Sequence, residues 1–373
     1  MRTKRRIARI AAGALVGCVA LLSSVCGLIS QGPPTHTAVH QASTGAPSGW
    51  SQVANPSTWD SRTGSFSTVY NGKLWVMGGI RDSWPPALND IWYSDTGGDP
   101  VDDWQKVPAG TWWSGRENGG IVAFDPDGAG ASYPERMYVF GGMLNLFTPY
   151  NDVWWTEDTT PGDGLTWSTA TAEWSKRYLF GSLVFDAGEG EKIWVLGGQT
   201  TKTSYVGDVW SWSGIAGEPW QKASGSPPPA RAGAYCTVWN GAMWVFGGRN
   251  EGGALNDVWY STDGTTWTNP GNASWPARSQ GGLVQIGTGL WLFGGWDGTN
   301  SSSNTNDVWF TDDPQGLSWT LQNPSAGWPP RHSPTVTKFK GDVFLAGGWS
   351  TGRTTLNDIW MLRMAPGDWR GQP

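Results

Sequence analysis

Residues 243–260 read MWVFGGRNEGGALNDVWY, and this stretch contains the two short signatures that decide the fold. The first is an apolar run that ends in a diglycine, and the second is the tetrapeptide NDVW. Both signatures recur six times along the chain. The diglycines lie at 78–79, 141–142, 197–198, 247–248, 294–295 and 347–348, and the Asp of the second signature lies at 90, 152, 208, 257, 307 and 358. A spacing of about 54 residues between successive aspartates (358 minus 90, divided by five) indicates a repeat array.

Each repeat predicts four antiparallel strands. The fully apolar run before each diglycine is typical of a strand buried on both faces. Asn71-Gly72 and Asn240-Gly241 predict tight hairpins, because type I′ turns need positive φ. In the first unit we expect strands at about 65–70, 73–77, 90–94 and 104–107. Six such units predict an all-β, six-bladed β-propeller.

The composition agrees with this architecture. The chain has 373 residues, of which 54 are Gly, 25 Pro and 29 Trp. So many Gly and Pro residues argue against a helical bundle, and the aromatic content argues against disorder. Most Trp residues recur at fixed positions of the unit, which indicates a structural role.

Diglycine, an acidic residue and spaced aromatics are the Kelch pattern, and residues 50–373 resemble Kelch-repeat propellers, here of a bacterial, exported type. The resemblance implies a fold like the central domain of galactose oxidase. It does not extend to the copper site of that enzyme, which needs two histidines, two tyrosines and a crosslinking cysteine. The propeller region has one histidine, His332, and one cysteine, Cys236, so we expect no metal and no cofactor.

Closure of the ring is predicted from a surplus tryptophan. Trp50 and Trp369 both compete for the outer strand of the sixth blade. Residues 50–53 (WSQV) resemble residues 104–107 (WQKV), so we expect the N-terminal strand to complete the sixth blade. Closure through Trp369 is the alternative.

The N-terminal sequence predicts export. Five basic residues among the first nine precede residues 10–29, which carry no charge. We interpret 1–30 as a cleaved signal peptide, an uncleaved anchor or a lipoprotein signal ending at Cys18, and 31–49 as a flexible linker. Contact with the membrane would be through this segment only.

The charge of the remaining chain bears on its partners. Without residues 1–30, 20 Lys and Arg face 31 Asp and Glu, a balance of −11. Such acidity disfavours nucleic-acid binding, which needs a basic face. We expect a monomer that binds a protein or a glycan.

An Arg leads each unit, at Arg62, Arg116, Arg177, Arg231, Arg278 and Arg331. The Kelch resemblance implies that this Arg enters the innermost strand at the channel mouth, where ligands of the family often bind. A ring of guanidinium groups would suit an anionic ligand. The alternative is that each Arg pairs with an Asp of its own or the next blade.

Positions that differ between the units are candidates for a ligand that is not six-fold symmetric. The residue after each leading Arg is Thr63, Glu117, Tyr178, Ala232, Ser279 or His332, and the residues after the diglycines include Arg81, Met143, Gln199, Arg249, Trp296 and Trp349. From these sets we predict that Arg81, Glu117, Tyr178, Arg249, Trp296, His332 and Trp349 bind ligand with the leading arginines.

Two functions remain open. The first is a non-catalytic exported propeller that binds a protein or glycan at the channel mouth. The alternative is a carbohydrate-active enzyme similar to the sialic-acid mutarotase, a six-bladed Kelch propeller, with Glu117 and His332 as acid and base. An enzyme should cluster Glu117, His332 and at least two arginines around a pocket, whereas a binding module should have a broad mouth with aromatics.

Overall fold

The computed structural model describes residues 49–54, 59–83, 86–97, 103–126, 135–144, 148–300 and 303–364. These residues form six four-stranded antiparallel sheets, one for each repeat. The predicted all-β, six-bladed propeller with four strands per blade is therefore confirmed. The predicted signal or anchor, nearly all of the linker and Trp369 lie outside the described residues.

The strands of each blade follow one another in chain order, except for the last strand of the sixth blade. Blade one has Phe66–Tyr70, Lys73–Met77, Ile91–Ser94 and Gln105–Lys106; blade two has Gly120–Phe124, Arg136–Phe140, Asp152–Thr156 and Ser168–Thr171; blade three has Gly181–Asp186, Glu191–Thr201, Ser204–Trp212 and Gln221–Lys222. Blade four has Tyr235–Trp239, Ala242–Asn250, Gly253–Ser261 and Thr268–Asn272; blade five has Gly282–Ile286, Gly289–Trp296, Asn304–Thr311 and Thr320–Asn323; blade six has Thr335–Phe339, Asp342–Ala346, Ile359–Leu362 and Trp50–Ala54.

Short elements complete the description. Two further strand pairs, Met143–Leu144 with Thr148–Pro149 and Arg331–His332 with Trp349–Ser350, lie in the loops of blades two and six. One 3₁₀ turn covers Pro161–Asp163. Within the described ranges, no helix has the length and apolarity needed to cross a membrane.

The first strands of the six blades form the inner wall of the ring. Each contacts the first strand of the next blade, and Phe66–Tyr70 of blade one contacts Thr335–Phe339 of blade six, so the circle closes. Blade six draws its fourth strand from the other end of the chain. Trp50 pairs with Leu362 and Gln52 with Trp360 in an antiparallel register. This pairing joins the two ends of the propeller and covers the edge of the sixth sheet.

The space between blades is filled by aromatic and aliphatic side chains. Within the described residues, six buried clusters each combine side chains of two neighbouring blades. The Trp that precedes the leading Arg by three residues is buried wherever it occurs, as at Trp113, Trp174 and Trp275. Much of the tryptophan excess therefore holds blade against blade.

The diglycine is required because the chain needs two successive residues with positive φ at this point of the second strand. Gly247 has φ 52° and Gly248 has φ 94°. A Cβ on Gly247 would lie 2.7 Å from the carbonyl oxygen of Leu255, so no other residue fits without a shift. The strand register slips at this point, as it does at a β-bulge.

Candidate functional site

The six leading arginines lie in buried ion pairs within their own blades. Each guanidinium donates from Nη1 and Nη2 to both carboxylate oxygens of the Asp in the second signature, over 2.6–3.0 Å. Nη1 also donates to the carbonyl oxygen of the first Gly of the diglycine. The pairs are Arg62–Asp90, Arg116–Asp152, Arg177–Asp208, Arg231–Asp257, Arg278–Asp307 and Arg331–Asp358.

The leading arginines were predicted to contact a ligand, and the structure places all of them in these buried pairs. The positions are Arg62, Arg116, Arg231, Arg278 and Arg331, together with Arg177. None of these residues is more than 4% exposed, and a carboxylate of the same chain already neutralises each charge. The alternative, pairing with the Asp of the same blade, is the arrangement found.

The repeated Asp has a second partner, which explains its constancy. The indole Nε1 of the Trp two residues later donates to Oδ2 of the same Asp, at 2.6–2.8 Å. Burial opposes ionisation of Asp307, but hydrogen bonds from Arg278 and Trp309 and the charge of Arg278 hold its pKa below the usual value. Arg, Asp and Trp therefore form one structural unit in every blade.

The second residue after each leading Arg belongs to a closed ring of backbone hydrogen bonds. We call this set the channel ring: Gly64, Asn118, Leu179, Gly233, Gln280 and Ser333. The N–H of each ring residue donates to the carbonyl oxygen of the ring residue in the preceding blade, and Gly64 closes the circle by donating to Ser333. The N···O distances are 2.6–3.1 Å, and all six φ angles are positive, from 49° to 63°. Only two of these residues are Gly. The other four therefore have a side chain and still adopt the left-handed backbone conformation that most residues avoid.

A cavity of about 160 Å³ lies at the channel ring. It is lined by the ring and by the next residue of each blade: Ser65, Gly119, Phe180, Ala234, Gly281 and Pro334. Its side-chain polar groups are the amides of Asn118 and Gln280 and the hydroxyls of Ser65 and Ser333. No ionisable side chain is among these lining residues. The cavity therefore offers neutral hydrogen-bonding groups and no acid or base.

The two variable sets predicted from the sequence lie side by side around this cavity. Each residue that follows a leading Arg pairs through its backbone with the residue that follows the diglycine of the same blade. The pairs are Thr63–Ile80, Glu117–Met143, Tyr178–Gln199, Ala232–Arg249, Ser279–Trp296 and His332–Trp349. Because a channel-ring residue follows directly in the chain, each pair lies next to the lining of the cavity.

Four partly exposed side chains lie on blades four to six, and we call them the mouth patch: Arg249, Trp296, His332 and Trp349. The guanidinium carbon of Arg249 lies 5.4 Å from the ring centroid of Trp296. The rings of Trp296 and His332 are 6.1 Å apart and inclined by 37°. The patch thus combines one cation with three flat rings.

Arg249 differs from the leading arginines in its partners. Nη2 donates to the side-chain oxygen of Gln199 at 3.0 Å, and within the described residues Arg249 has no carboxylate partner. Its Nε is buried and has no hydrogen-bond partner there. The residue is held in place by Gln199 and Trp296 while its charge is not neutralised.

His332 is an uncharged member of the mouth patch. The amide of Asn304 donates from Nδ2 to the carbonyl oxygen of Trp349, which turns its Oδ1 toward His332 Nδ1 at 2.8 Å. Nδ1 therefore carries the proton and Nε2 is an acceptor. Burial, and secondarily the charge of Arg249, lowers the pKa of His332 to about 4.

Glu117 is also neutral at physiological pH, but it is buried. It is 3% exposed, and its Oε2 accepts a hydrogen bond from Asn118 at 2.9 Å. Oε1 has no hydrogen-bond partner among the described residues, and burial raises the pKa of the carboxyl to about 8. Glu117 belongs to blade two and His332 to blade six, so blade one lies between them. Their side-chain hydrogen bonds among the described residues go to Asn118 and Asn304, and not to each other.

The remaining predicted site residues are Tyr178 and Arg81. Tyr178 is buried, and its hydroxyl donates to the carbonyl oxygen of Thr201 at 3.4 Å. Burial raises the pKa of this hydroxyl. Arg81, in blade one, forms an ion pair with Asp60. Of the predicted ligand-binding residues, the structure therefore brings together Arg249, Trp296, His332 and Trp349.

The sequence reasoning overlooked the channel ring itself. It considered the residue after the leading Arg, whereas the next residue lines the cavity. The same criterion, variation between units, would have identified that position, because it reads Gly, Asn, Leu, Gly, Gln and Ser in the six units. Among the described residues, no three His, Cys, Asp or Glu side chains gather as metal ligands would.

Comparison with known proteins relates the chain to several large proteins. It is 33% identical over 132 residues to the Rho GTPase-activating protein gacHH of Dictyostelium discoideum, a match that covers 33% of this chain and 8% of that protein. It is 28% identical to an F-box/kelch-repeat protein of Arabidopsis thaliana, covering 38% and 33% of the two chains. It is 27% identical to human host cell factor 2, covering 53% and 28%. The matched part is thus a third or less of each relative.

A family model covers most of the propeller. The model described as the KLHDC2/KLHL20/DRC7 Kelch-repeats domain matches residues 129–281 and 190–373, which together exceed half of the chain. The match spans blades that carry the Arg–Asp–Trp unit and the diglycine. The chain therefore belongs to the Kelch-repeat β-propeller family.

Proposed function

We propose that this chain is a non-catalytic propeller that binds a protein or glycan ligand at the channel mouth. The observation that carries the proposal is the mouth patch, where Arg249 and three flat rings are partly exposed beside the cavity. Aromatic rings and Arg are the side chains that dominate binding surfaces. Trp296 and Trp349 would contact apolar or sugar faces of the ligand.

The charge of the mouth favours an acidic group on the ligand. Of the twelve residues in the variable pairs, Arg249 is the one that carries a charge at neutral pH, because Glu117 and His332 are uncharged there. A guanidinium held against Trp296 and lacking a carboxylate partner is prepared to bind a carboxylate or sulfate.

Two observations favour binding over catalysis. The cavity lining contains no ionisable side chain, and Glu117 and His332 lie on blades that are not neighbours. An enzymatic site was expected to include at least two arginines. The guanidinium groups of the leading arginines are already paired with aspartates. The sequence relatives agree with a module that serves larger proteins, since the matched region is a minor part of each.

The experiment compares Arg249→Ala and Trp296→Ala with the wild-type chain on a glycan array and an acidic-peptide library. We expect ligands bound by the wild type to lose at least tenfold in affinity with either variant. Lys192→Ala is the matched control. It removes a cation from strand Glu191–Thr201 of blade three, near the end opposite to Gln199, which contacts Arg249. Equal binding by Arg249→Ala and Lys192→Ala would contradict the proposal.

Catalysis is tested separately. Exchange between the anomers of free sialic acid, followed by NMR, should proceed at the same rate with and without the protein. Acceleration that depends on Glu117 or His332 would replace the binding proposal by the isomerase alternative.

We further propose that the propeller is exported, with residues 1–30 as signal or anchor and 31–49 as a tether. The support is the run of basic residues followed by twenty uncharged ones. Cell fractionation with N-terminal sequencing of the isolated protein tests this. Recovery from the cytoplasm with residue 1 or 2 at its N-terminus would contradict export.

A further inference from the structure

Two carboxamide side chains line the central cavity from opposite sides. The hydrogen bonds of the channel ring run from blade to blade, so ring residues three blades apart lie on opposite sides. Asn118 belongs to blade two and Gln280 to blade five, and both line the cavity. The cavity therefore has an amide on each of two opposite walls.

One hydrogen bond fixes the orientation of each amide. Asn118 Nδ2 donates to Glu117 Oε2 at 2.9 Å, which leaves Asn118 Oδ1 as an acceptor. Ser333 Oγ donates to Gln280 Oε1 at 2.9 Å, which leaves Gln280 Nε2 as a donor. Neither Asn118 Oδ1 nor Gln280 Nε2 has a hydrogen bond to another described residue. The cavity thus presents an acceptor on one wall and a donor on the other.

Two glycines make room for these amides. A Cβ on Gly64 would lie 2.8 Å from Asn118 Oδ1, and a Cβ on Gly233 would lie 2.8 Å from Gln280 Cγ. The left-handed conformation alone does not explain them, because the other four ring positions adopt it with side chains. Each Gly therefore accommodates the amide of the next blade.

The cavity selects against charge. Its lining includes no ionisable side chain, so an ion bound there would gain no counter-charge. A carboxylate would accept from Gln280 Nε2 but be repelled by Asn118 Oδ1. An ammonium would donate to Asn118 Oδ1 but be repelled by Gln280 Nε2. The volume of about 160 Å³ exceeds the ~10–15 Å³ that one water needs and is smaller than the ~300 Å³ of the smallest drug-sized pockets.

We propose that the central cavity binds a carboxamide group, which donates to Asn118 Oδ1 and accepts from Gln280 Nε2. The inference rests on the proposed binding function and adds a second contact below the mouth patch. A ligand would then be recognised by an acidic group at Arg249 and an uncharged amide between the two blades. The amide can come from the Asn or Gln side chain of a protein or from a free small molecule.

The test measures binding of small probes to the full chain by ligand-observed NMR. Propionamide should bind in the millimolar range and at least tenfold more tightly than propionate or propylammonium. The acetylated tripeptide Gly-Gln-Gly is compared with Gly-Met-Gly, which has the same backbone, to test a protein source. If erythritol bound and propionamide did not, the cavity would recognise hydroxyl groups and not a carboxamide. This result would overturn the proposal.

Two variants locate the site. Asn118→Leu and Gln280→Met each remove one hydrogen bond at similar volume, and we expect about a fivefold loss of propionamide affinity for each. Gln285→Met is the matched control, because Gln285 is exposed on the first strand of blade five. The preference of the wild-type chain for propionamide over propionate decides the question even where a variant does not fold.

The outcome is independent of the mouth patch. Arg249→Ala should weaken a macromolecular ligand, whereas Gln285→Met should leave propionamide binding unchanged. Equal binding of propionamide and propionate, or equal loss in Gln280→Met and Gln285→Met, would overturn the carboxamide site and leave the mouth proposal intact. If Gln280→Met lost macromolecular binding and Arg249→Ala did not, the mouth proposal would be overturned and the carboxamide site would stand.

Discussion

Replacing Glu117 with Gln should change how the stability of the propeller depends on pH. Glu117 is 3% exposed, and its pKa is raised from 4.5 to about 8 by burial. Between these values the folded chain keeps a proton that the unfolded chain has released. The free energy of unfolding must therefore fall as the pH rises through this window. Gln keeps the side-chain oxygen that accepts from Asn118, but it has no proton to lose.

The magnitude follows from two opposing groups. His332 has a pKa lowered from 6.5 to about 4, so it contributes stability that rises with pH between those values. From pH 4.5 to 6.5 the two effects cancel, and from pH 6.5 to 8 Glu117 acts alone. One proton over 1.5 pH units corresponds to about 2 kcal/mol at about 1.4 kcal/mol per unit. The wild type should lose this amount, whereas Glu117→Gln should be flat there and should rise by about 3 kcal/mol between pH 4.5 and 6.5.

Urea unfolding followed by tryptophan fluorescence at pH 4.5, 6.5 and 8 measures these differences. Glu251→Gln, an exposed position with the same change of charge, is the control and should behave like the wild type. A drop between pH 6.5 and 8 that is equally large in Glu117→Gln would refute the reasoning. It would show that the carboxyl is ionised in the folded propeller.

Three further substitutions test the framework. Asp307→Ala should lower the free energy of unfolding by about 3–5 kcal/mol, because it leaves the buried Arg278 without its counter-charge; a loss under 1 kcal/mol would show that solvent reaches this guanidinium. Trp50→Ala should lower it by about 2 kcal/mol in the same urea assay, since its ring packs edge-on against two aromatic rings; an unchanged midpoint would mean that the N-terminal strand does not stabilise blade six. Gly264→Ala should lower the melting temperature more than Gly72→Ala, because both have positive φ but only the first places a Cβ against the buried ring of Trp194; equal losses would show that φ alone decides.

The blades were predictable because their signatures act within one unit. The leading Arg, the diglycine carbonyl, the Asp and the following Trp all contact one another inside a blade. Their spacing therefore repeats with the unit and can be read from the sequence. The strand bounds follow equally closely, as in the second strand of blade one, predicted and found at Lys73–Met77.

The site was predictable only in part, because it depends on contacts between units. The sequence indicated the variable pairs, and four of the predicted residues form the mouth patch. The sequence did not decide whether a leading Arg contacts an anionic ligand or an Asp of the chain, because a guanidinium binds either kind of anion. The channel ring was missed, since its hydrogen bonds join residues that are about 50 residues apart and leave no pattern within one unit.

The channel ring separates the duties of backbone and side chain, and this separation allows the propeller to keep its shape while its ligand site varies. The six blades are joined at the axis through N–H and C=O groups, which every residue except proline provides. The side chains at these positions are not needed to hold the ring, as the presence of Gly, Asn, Leu, Gln and Ser in one conformation demonstrates. The Arg–Asp–Trp unit lies outside the ring and is repeated in every blade because the fold depends on it. The side chains of the channel ring can therefore vary between blades while the Arg–Asp–Trp unit stays constant. A binding site on a six-fold framework requires this combination.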